Sequence, residues 1–413
     1  MFKRIPGTKD ILPAEVTIWQ EIEKISRGIF SLYNYQEIRP PLVEDAKLFN
    51  RSLGQTAEIV QKQMFLIQNK EELYALRPEA TASVVRSYIE NSLDKTNSFL
   101  KVYYIGPMFR LERPQKGRYR QFHHVGCEVL GSSDACLDVE VISLAAKLLD
   151  NFSVSGYKIN INSLGCAKDK EKLQKNLREA LKNSADKLCV DCQNRLKTNV
   201  LRILDCKHES CKKIVDSLKL EHQHLCPECL DHFNSVLNGL DLLGIEYKIN
   251  YSLVRGLDYY TRTVFEITHP ELGSQDAIGA GGRYNNLVQE LGGPDTGAIG
   301  FAFGLERVLL VSKLNQEKKN EDDLVFLITL GDLAKIRGMG ILADLRKCGI
   351  SADTDYENKS LKGCMRKAND LNARLVLILG ENELKNNVIS VKNMLSGEQK
   401  EVNLSQLTKE IKC

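Results

Sequence analysis

No stretch of about 18 apolar residues occurs in the 413-residue chain, which excludes a membrane-spanning helix. The opening MFKRIPGTKDILPAE lacks the apolar core that a secretory signal needs, so the cytoplasm is the expected compartment. No internal repeat and no low-complexity tract is present, which excludes a repeat array. An excess of either charge is missing too. The 57 Lys and Arg against 54 Asp and Glu leave a net charge of +3. That balance alone does not argue for nucleic-acid binding; an RNA surface would have to come from local clusters of Lys and Arg. With 43% hydrophobic and 27% charged residues, the composition is that of an ordinary globular protein long enough for two or three domains.

What is there begins with a helix. Residues 15–33, EVTIWQEIEKISRGIFSLY, put Ile18, Ile22, Ile25 and Ile29 at helical spacing, with Trp19 and Phe30 widening the stripe. YNYQEIRPPLVE then predicts an extended segment. Pro40 and Pro41 exclude helix there and confine the strand to an edge or interface. Residues 99–110 and 122–131 predict a hairpin whose connection, LERPQKGRYRQ, is long and basic. An amphipathic helix is expected over 137–152. From Cys166 to about 245 the text turns Lys- and Cys-rich and mostly helical, as an inserted module would. Strand-like text returns at 247–268. IGAGGRY at 278–284 predicts a glycine-dense turn, and GAIGFAFGLERVLL at 297–310 a strand running into a helix. The charged KLNQEKKNEDD at 313–323 marks a boundary, followed by alternating strands and helices. The expected organisation is α/β: a catalytic domain over 1–320 with an insertion at about 166–245, then a small α/β domain over 324–413.

The Pro41 strand, the FRLER hairpin and GFAFGLERV resemble motifs 1, 2 and 3 of the class II aminoacyl-tRNA synthetases. LVRGLDYYTRTVFE at 253–266 and AGGRYNNLV at 280–288 resemble the two motifs peculiar to the histidyl-tRNA synthetases, of the bacterial type. PGTKDILP at the start and RPEAT at 77–81 belong to the same resemblance, which spans the chain. It implies an antiparallel-sheet catalytic domain, a C-terminal anticodon-binding domain, and a homodimer built on the motif 1 strand and helix. It also implies a reaction in which ATP activates L-histidine for transfer to tRNA(His).

The residue types suit that chemistry. A carboxylate must attack the α-phosphate of ATP, so two anions have to meet, and fixed positive charge matters more than a general base. Arginine binds phosphate bidentately and stays charged. By resemblance, Arg110 holds the α-phosphate with Arg255 on its other side. Arg307 contacts the nucleotide near adenine and the outer phosphates, the adenine lies between Phe122 and Arg307, and Glu112 and Arg118 complete the ATP contacts. Mg²⁺ is expected to bridge the phosphates. Histidine needs an acceptor for its ammonium and partners for both ring nitrogens. The matching positions are Glu79, Thr81, His124, Glu128, Tyr259 and Tyr260. Three positions depart from the family pattern: His124 stands where glutamine is usual, Asn285 where aspartate is frequent, and Ala80 where glycine is common. A histidine at 124 could make the substrate contact pH-dependent. His123 reads as a structural histidine.

On the tRNA side, Arg113 and Gln115 sit where the resemblance implies reading of the acceptor end; a merely solvated basic loop is the alternative. Twelve cysteines in a chain without an export signal suggest free thiols or a metal site rather than disulfides. Cys189-x2-Cys192 and Cys226-x2-Cys229 are candidate ligands of one structural Zn²⁺, which as a four-thiolate site would not be catalytic. Free thiols in a helical insertion are the alternative. Two other readings stay open at this point: a catalytically silent synthetase-like regulatory subunit of histidine biosynthesis, and a non-enzymatic RNA-binding protein. The joint presence of Arg110, Arg255 and Arg307 argues against the first, and the histidine-specific segment against the second.

Overall fold

The structure is a computed structural model that describes residues 2–54, 57–273, 275–314 and 324–412. The chain divides into two compact units, Met1–Leu314 and Asn315–Cys413. Most of the charged boundary segment, residues 315–323, lies outside the described residues.

Alternation along the strands organises the first unit. Successive side chains of a strand point to opposite faces, so a two-residue period assigns each residue to a face. In the strand Gln121–Leu130, Val125, Cys127 and Val129 are fully buried. They share a core with Ile142, Leu144 and Leu148 of the helix Ala135–Asn151 and with Phe301 and Phe303 of the strand Ala298–Gly304. Trp19, Ile22, Ile29 and Phe30, from the first helix Pro13–Leu32, complete this core. The even-numbered residues Phe122, His124, Gly126 and Glu128 therefore face the other way.

These strands belong to an eight-stranded sheet. Its order runs from Gln36–Glu37 through Leu100–Phe109, Gln121–Leu130, Ala298–Gly304, Ala277–Arg283, Thr261–Thr268 and Lys158–Ser163 to Lys248–Ile249. The two end pairings are parallel and the five between are antiparallel. The short Gln36–Glu37 strand lies at the sheet's edge, next to the residues where the proline pair forbids further pairing. Beyond the prolines, Val43–Asp45 joins a separate three-stranded sheet. Between Lys158–Ser163 and Lys248–Ile249 the chain leaves the sheet for four α-helices, Ala167–Leu181, Val190–Thr198, Glu209–Ser217 and Pro227–Leu242, and two short 3-10 turns.

One expectation fails here. IGAGGRY is not a turn: Ala277–Arg283 is a strand paired on both sides. Its glycines answer to crowding. A Cβ at Gly279 would lie 2.3 Å from the Phe303 ring, and one at Gly281 2.4 Å from the Gly300 carbonyl.

The second unit carries a five-stranded sheet, ordered Ala352–Thr354, Val325–Thr329, Leu375–Leu379, Val388–Asn393 and Gln399–Asn403. The first two pairings are parallel and the last two antiparallel. Val325 and Leu327 join one core, Phe326 and Ile328 another, so this strand is covered on both faces and reads as an unbroken apolar run.

A buried ion pair ties the Ala277–Arg283 strand to the core helix. Arg283, fully buried, donates from Nε to Asp138 at 2.7 Å, from Nη1 to the Ser132 carbonyl at 2.9 Å, and from Nη2 to the Asp134 carbonyl. Deleting one partner strands the other charge away from water, which costs about 3–5 kcal/mol. Arg283→Met should therefore lower the denaturant midpoint of the first unit sharply, and Arg283→Met with Asp138→Asn should restore part of the loss. The chain's single tryptophan, Trp19, sits in the same unit's core and reports that transition by fluorescence.

Candidate active site

The face of the sheet opposite the Ala135–Asn151 helix is stripped of side chains at its middle, while Leu100, Val102, Tyr104 and Val264 beside it pack into a second core with Val84 and Tyr88. Pairing sets Gly300, Ala302 and Gly304 opposite Glu128, Gly126 and His124, and Ala280 and Gly282 opposite Ala302 and Gly300. This floor of glycine and alanine lies under a cavity of about 400 Å³. The bareness is obligatory at Gly300, where a Cβ would sit 1.9 Å from Glu128 Oε2.

Glu128 is buried and lies deep in the cavity. Its carboxylate accepts from Thr81 Oγ1 at 2.7 Å, Tyr104 at 3.2 Å and Tyr284 at 2.5 Å. Burial raises its pKa to about 8, against the pull of those three hydroxyls. Glu79, also buried, caps the helix Thr81–Glu90, accepting from the backbone N–H of Thr81 at 2.6 Å and Ala82 at 2.9 Å. Its pKa is raised by burial, with Arg110 acting in the opposite sense. Tyr259 and Tyr260, whose ring centroids lie 4.6 Å apart, close one wall, and Tyr259 meets the Tyr284 ring at 5.6 Å.

The arginines occupy the other end. Arg110 donates to the Pro78 carbonyl at 2.9 Å, and its guanidinium carbon lies 5.3 Å from the centre of the Phe122 ring. Arg307 donates to the carbonyls of Gly117, Gln275 and Ala277 at 3.1, 2.9 and 2.5 Å. Arg255 is paired with Glu266 at 2.5 Å, and its Nε has no hydrogen-bond partner among the described residues. Arg118 pairs with Glu112 at 3.1 Å. All of these side chains line the one cavity.

The cavity thus gathers Arg110, Arg255, Arg307, Glu112, Arg118, Phe122, Glu79, Thr81, His124, Glu128, Tyr259 and Tyr260. Arg113 and Gln115 do not line it; both are exposed on the hairpin loop. His124 is half-buried with its Nδ1 shielded from water, and loss of solvent around the ring together with Arg110 and Arg77 pushes its pKa well below the usual histidine value. Its ring is therefore neutral across the physiological range rather than a pH switch. His123 instead donates from its ring Nδ1 to the Glu306 carboxylate at 3.0 Å and packs edge-on against Trp19. Sequence reasoning missed Tyr104, Tyr284 and Glu266. Their signal was present: Glu266 closes the LVRGLDYYTRTVFE segment, Tyr284 closes the GGRY run, and Tyr104 pairs opposite Gly126, on the sheet face of His124 and Glu128.

The cysteine reading needs correction. Cys189 and Cys192 do not meet Cys226 and Cys229. Cys189 and Cys192 group with Cys206 and Cys211, whereas Cys226 and Cys229 group with Cys166 and Asp169. Each CxxC pair opens a different helix, Val190–Thr198 or Pro227–Leu242, and the insertion's packing directs those two helix starts to different neighbours.

A mostly antiparallel sheet bare at the middle of one face, bordered by an arginine that follows a hairpin strand and by one in the first turn of the helix after the Ala298–Gly304 strand, defines a class II aminoacyl-tRNA synthetase catalytic unit. Residues 7–308 match the family described as histidyl-tRNA synthetase, and residues 325–413 the anticodon binding domain. The chain belongs to the histidyl-tRNA synthetase family. It is 46% identical over 410 residues to a histidine–tRNA ligase of Desulforamulus reducens, covering 98% of each chain. It resembles the structure of apo S. aureus histidyl-tRNA synthetase with a TM-score of 0.81 at 36% identity, covering all of both chains. A Bacillus halodurans structure described as an ATP phosphoribosyltransferase regulatory subunit/histidyl-tRNA synthetase shares the fold, with a TM-score of 0.65 at 20% identity. That alignment covers 92% of this chain and 98% of the other.

The raised pKa of Glu128 has a definite stability signature. A carboxyl that holds its proton more tightly when folded makes the folded state bind more protons between its unfolded pKa, near 4.5, and about 8. Its contribution to stability therefore falls as pH rises through that window. Urea midpoints of the wild type and Glu128→Gln should converge or cross as pH is raised from 5 to 9, with the wild type losing ground. A difference that does not move with pH would contradict the buried-acid reading.

Proposed function

We propose that the chain acts as a histidine–tRNA ligase: ATP, L-histidine and tRNA(His) give histidyl-tRNA(His), AMP and diphosphate by way of histidyl-adenylate. The observation that carries this reading is the meeting of three arginines and a buried carboxylate–tyrosine pocket in one cavity over a bare sheet. In the first step a histidine carboxylate oxygen attacks the α-phosphorus and diphosphate leaves. In the second, a hydroxyl of the terminal ribose of the tRNA attacks the acyl carbon and AMP leaves.

Arg110 and Arg255 flank the α-phosphorus, where negative charge grows in the transition state. Arg307 takes the outer phosphates and, with Phe122, the adenine, while Glu112 and Arg118 fix the nucleotide's other contacts. The α-carboxylate of histidine must approach Arg110, so its ammonium belongs beside Glu79, the buried carboxylate that feels the Arg110 charge. Thr81 and neutral His124 border the same end. The imidazole then reaches deeper, to Glu128 with Tyr259 and Tyr260 along its wall. A wrong amino acid would leave these buried polar groups unpaired, which gives large discrimination without an editing site. Glu112 and Glu266 offer hard oxygen donors on the cavity wall and fit a Mg²⁺ that enters with ATP and neutralises phosphate charge.

The second unit takes the anticodon side of tRNA(His), and exposed Arg113 and Gln115 suit the acceptor end. A homodimer is favoured by the large apolar side chains exposed around the motif 1 arm, among them Leu42, Val43, Leu66, Ile67 and Phe99. The cytoplasm, where tRNA is charged, is the fitting compartment. A silent regulatory role is disfavoured, because the whole arginine set is retained alongside an anticodon-binding domain.

The test is ATP–diphosphate exchange measured with each of the twenty amino acids, followed by charging of tRNA. Exchange should depend on histidine alone. Arg255→Ala should fold normally and lower the exchange rate about 100- to 1000-fold, the scale of one lost transition-state contact. No exchange by the wild type would overturn the function; full exchange by Arg255→Ala would overturn the role of that residue.

A further inference from the structure

The two cysteine groups of the insertion are built alike. Cys189 precedes the helix Val190–Thr198 as its N-cap and Cys192 lies in its first turn. Cys226 and Cys229 stand in the same places on Pro227–Leu242, and Cys166 and Asp169 on Ala167–Leu181. Cys211 lies in the first turn of Glu209–Ser217. Two helix N-termini therefore point at each group, and their positive ends favour thiolate over thiol. The four ligand atoms of each set lie within 4.8 Å of one another, and most of the side chains are buried.

We propose that the insertion binds two structural zinc ions, one held by Cys189, Cys192, Cys206 and Cys211, the other by Cys166, Asp169, Cys226 and Cys229. The spacing is that of a tetrahedral ion. With Zn–S of about 2.3 Å, the edge of the tetrahedron is about 3.8 Å, and the Cys189 and Cys206 sulfurs are 3.8 Å apart. Backbone amides already aim at the ligands. Cys189 N–H donates to Cys211 Sγ at 3.3 Å, and His208 N–H to Cys206 Sγ at 3.5 Å. In the other set, the Asp169 carboxylate accepts from Cys226 N–H at 3.0 Å and Cys166 N–H at 3.3 Å. These donors orient ligands and offset their charge, as outer-shell groups do around zinc. Disulfides do not account for the second set, because three sulfurs leave one unpaired. Four protein ligands close each site, so neither ion has a position for substrate, and both are structural.

The placement ties both ions to the catalytic cavity. The segment between the first set's two helices carries Arg202, Asp205 and Lys207 to the cavity wall, and Asn199 donates to Asp258 at 3.1 Å. Next to the second set, Lys170 donates to the carbonyls of Asp258 at 2.6 Å and Tyr260 at 3.2 Å. The Arg262 guanidinium pairs with Glu228, which lies inside the Cys226-x2-Cys229 knuckle. The ions thus brace the Arg255–Tyr260 segment from two sides.

Metal content of the full chain, purified without a metal-binding tag and measured by plasma mass spectrometry, should be two zinc and no iron per chain. Cys206→Ser and Cys229→Ser should each keep one zinc, and the double variant none. Replacement by cobalt should give thiolate-to-metal charge-transfer bands that each single variant reduces by roughly half. Each variant should also raise the KM for histidine in exchange more than it lowers kcat. Wild-type protein carrying no zinc, a single zinc, or iron overturns the proposal, whether or not the variants fold. Because the metal count needs no turnover, its failure leaves the ligase assignment untouched, and absence of exchange leaves the metal count standing.

Discussion

The catalytic unit depends on a sheet that is packed on one face and bare at the middle of the other. Val125, Cys127, Val129, Phe301 and Phe303 bury the packed face against the Ala135–Asn151 helix. Gly300, Ala302 and Gly304 leave the opposite face open. The strands are packed from behind while presenting backbone with few side chains at the middle of the front. A carboxylate can then lie across the sheet itself, as Glu128 lies over Gly300, instead of projecting from a loop. Sites built on such elements hold their geometry better than sites built on loops.

That rigidity shapes the electrostatics. Arg110 and Arg307 are oriented by backbone carbonyls, which fix a guanidinium without cancelling its charge. Arg255 differs, being paired with the carboxylate of Glu266. The positive charge is in place before the reaction needs it, so little reorganisation remains for the transition state. Of these three arginines, Arg255 is the one with a carboxylate ion-pair partner among the described residues.

Much of this was legible in the chain. The alternation in residues 121–130, the apolar stripe from Ile18 to Ile29 and the proline pair at 40–41 each constrain local geometry directly, and each element lies where its pattern implies. IGAGGRY was misread because glycine marks turns and close approach alike. Only the register against Gly300 and Phe303 tells which, and register is a long-range property. The cysteines were harder for the same reason. Chain spacing pairs Cys189 with Cys192, and Cys226 with Cys229, but which knuckle meets which partner is decided by helix packing across the insertion. Asp169 carries no metal-site signature in sequence at all. It joins its group because it occupies, on its own helix, the position that Cys192 and Cys229 occupy on theirs.

The fold by itself does not make the chemistry. The same architecture at 20% identity occurs in a structure described partly as a regulatory subunit. A bare-faced sheet is a platform that can hold a ligand without transforming it. This chain brings two buried carboxylates and two half-buried arginines to one cavity. Glu79 and Glu128 are carboxylates pushed toward neutrality by loss of water, while Arg110 and Arg255 keep their charge beside them. A protein that only sensed histidine would need the first set and would gain nothing from the cost of burying the second. Arg110 lines the cavity with a backbone carbonyl rather than a carboxylate as its hydrogen-bond partner, so its charge is left for an anion that enters from outside.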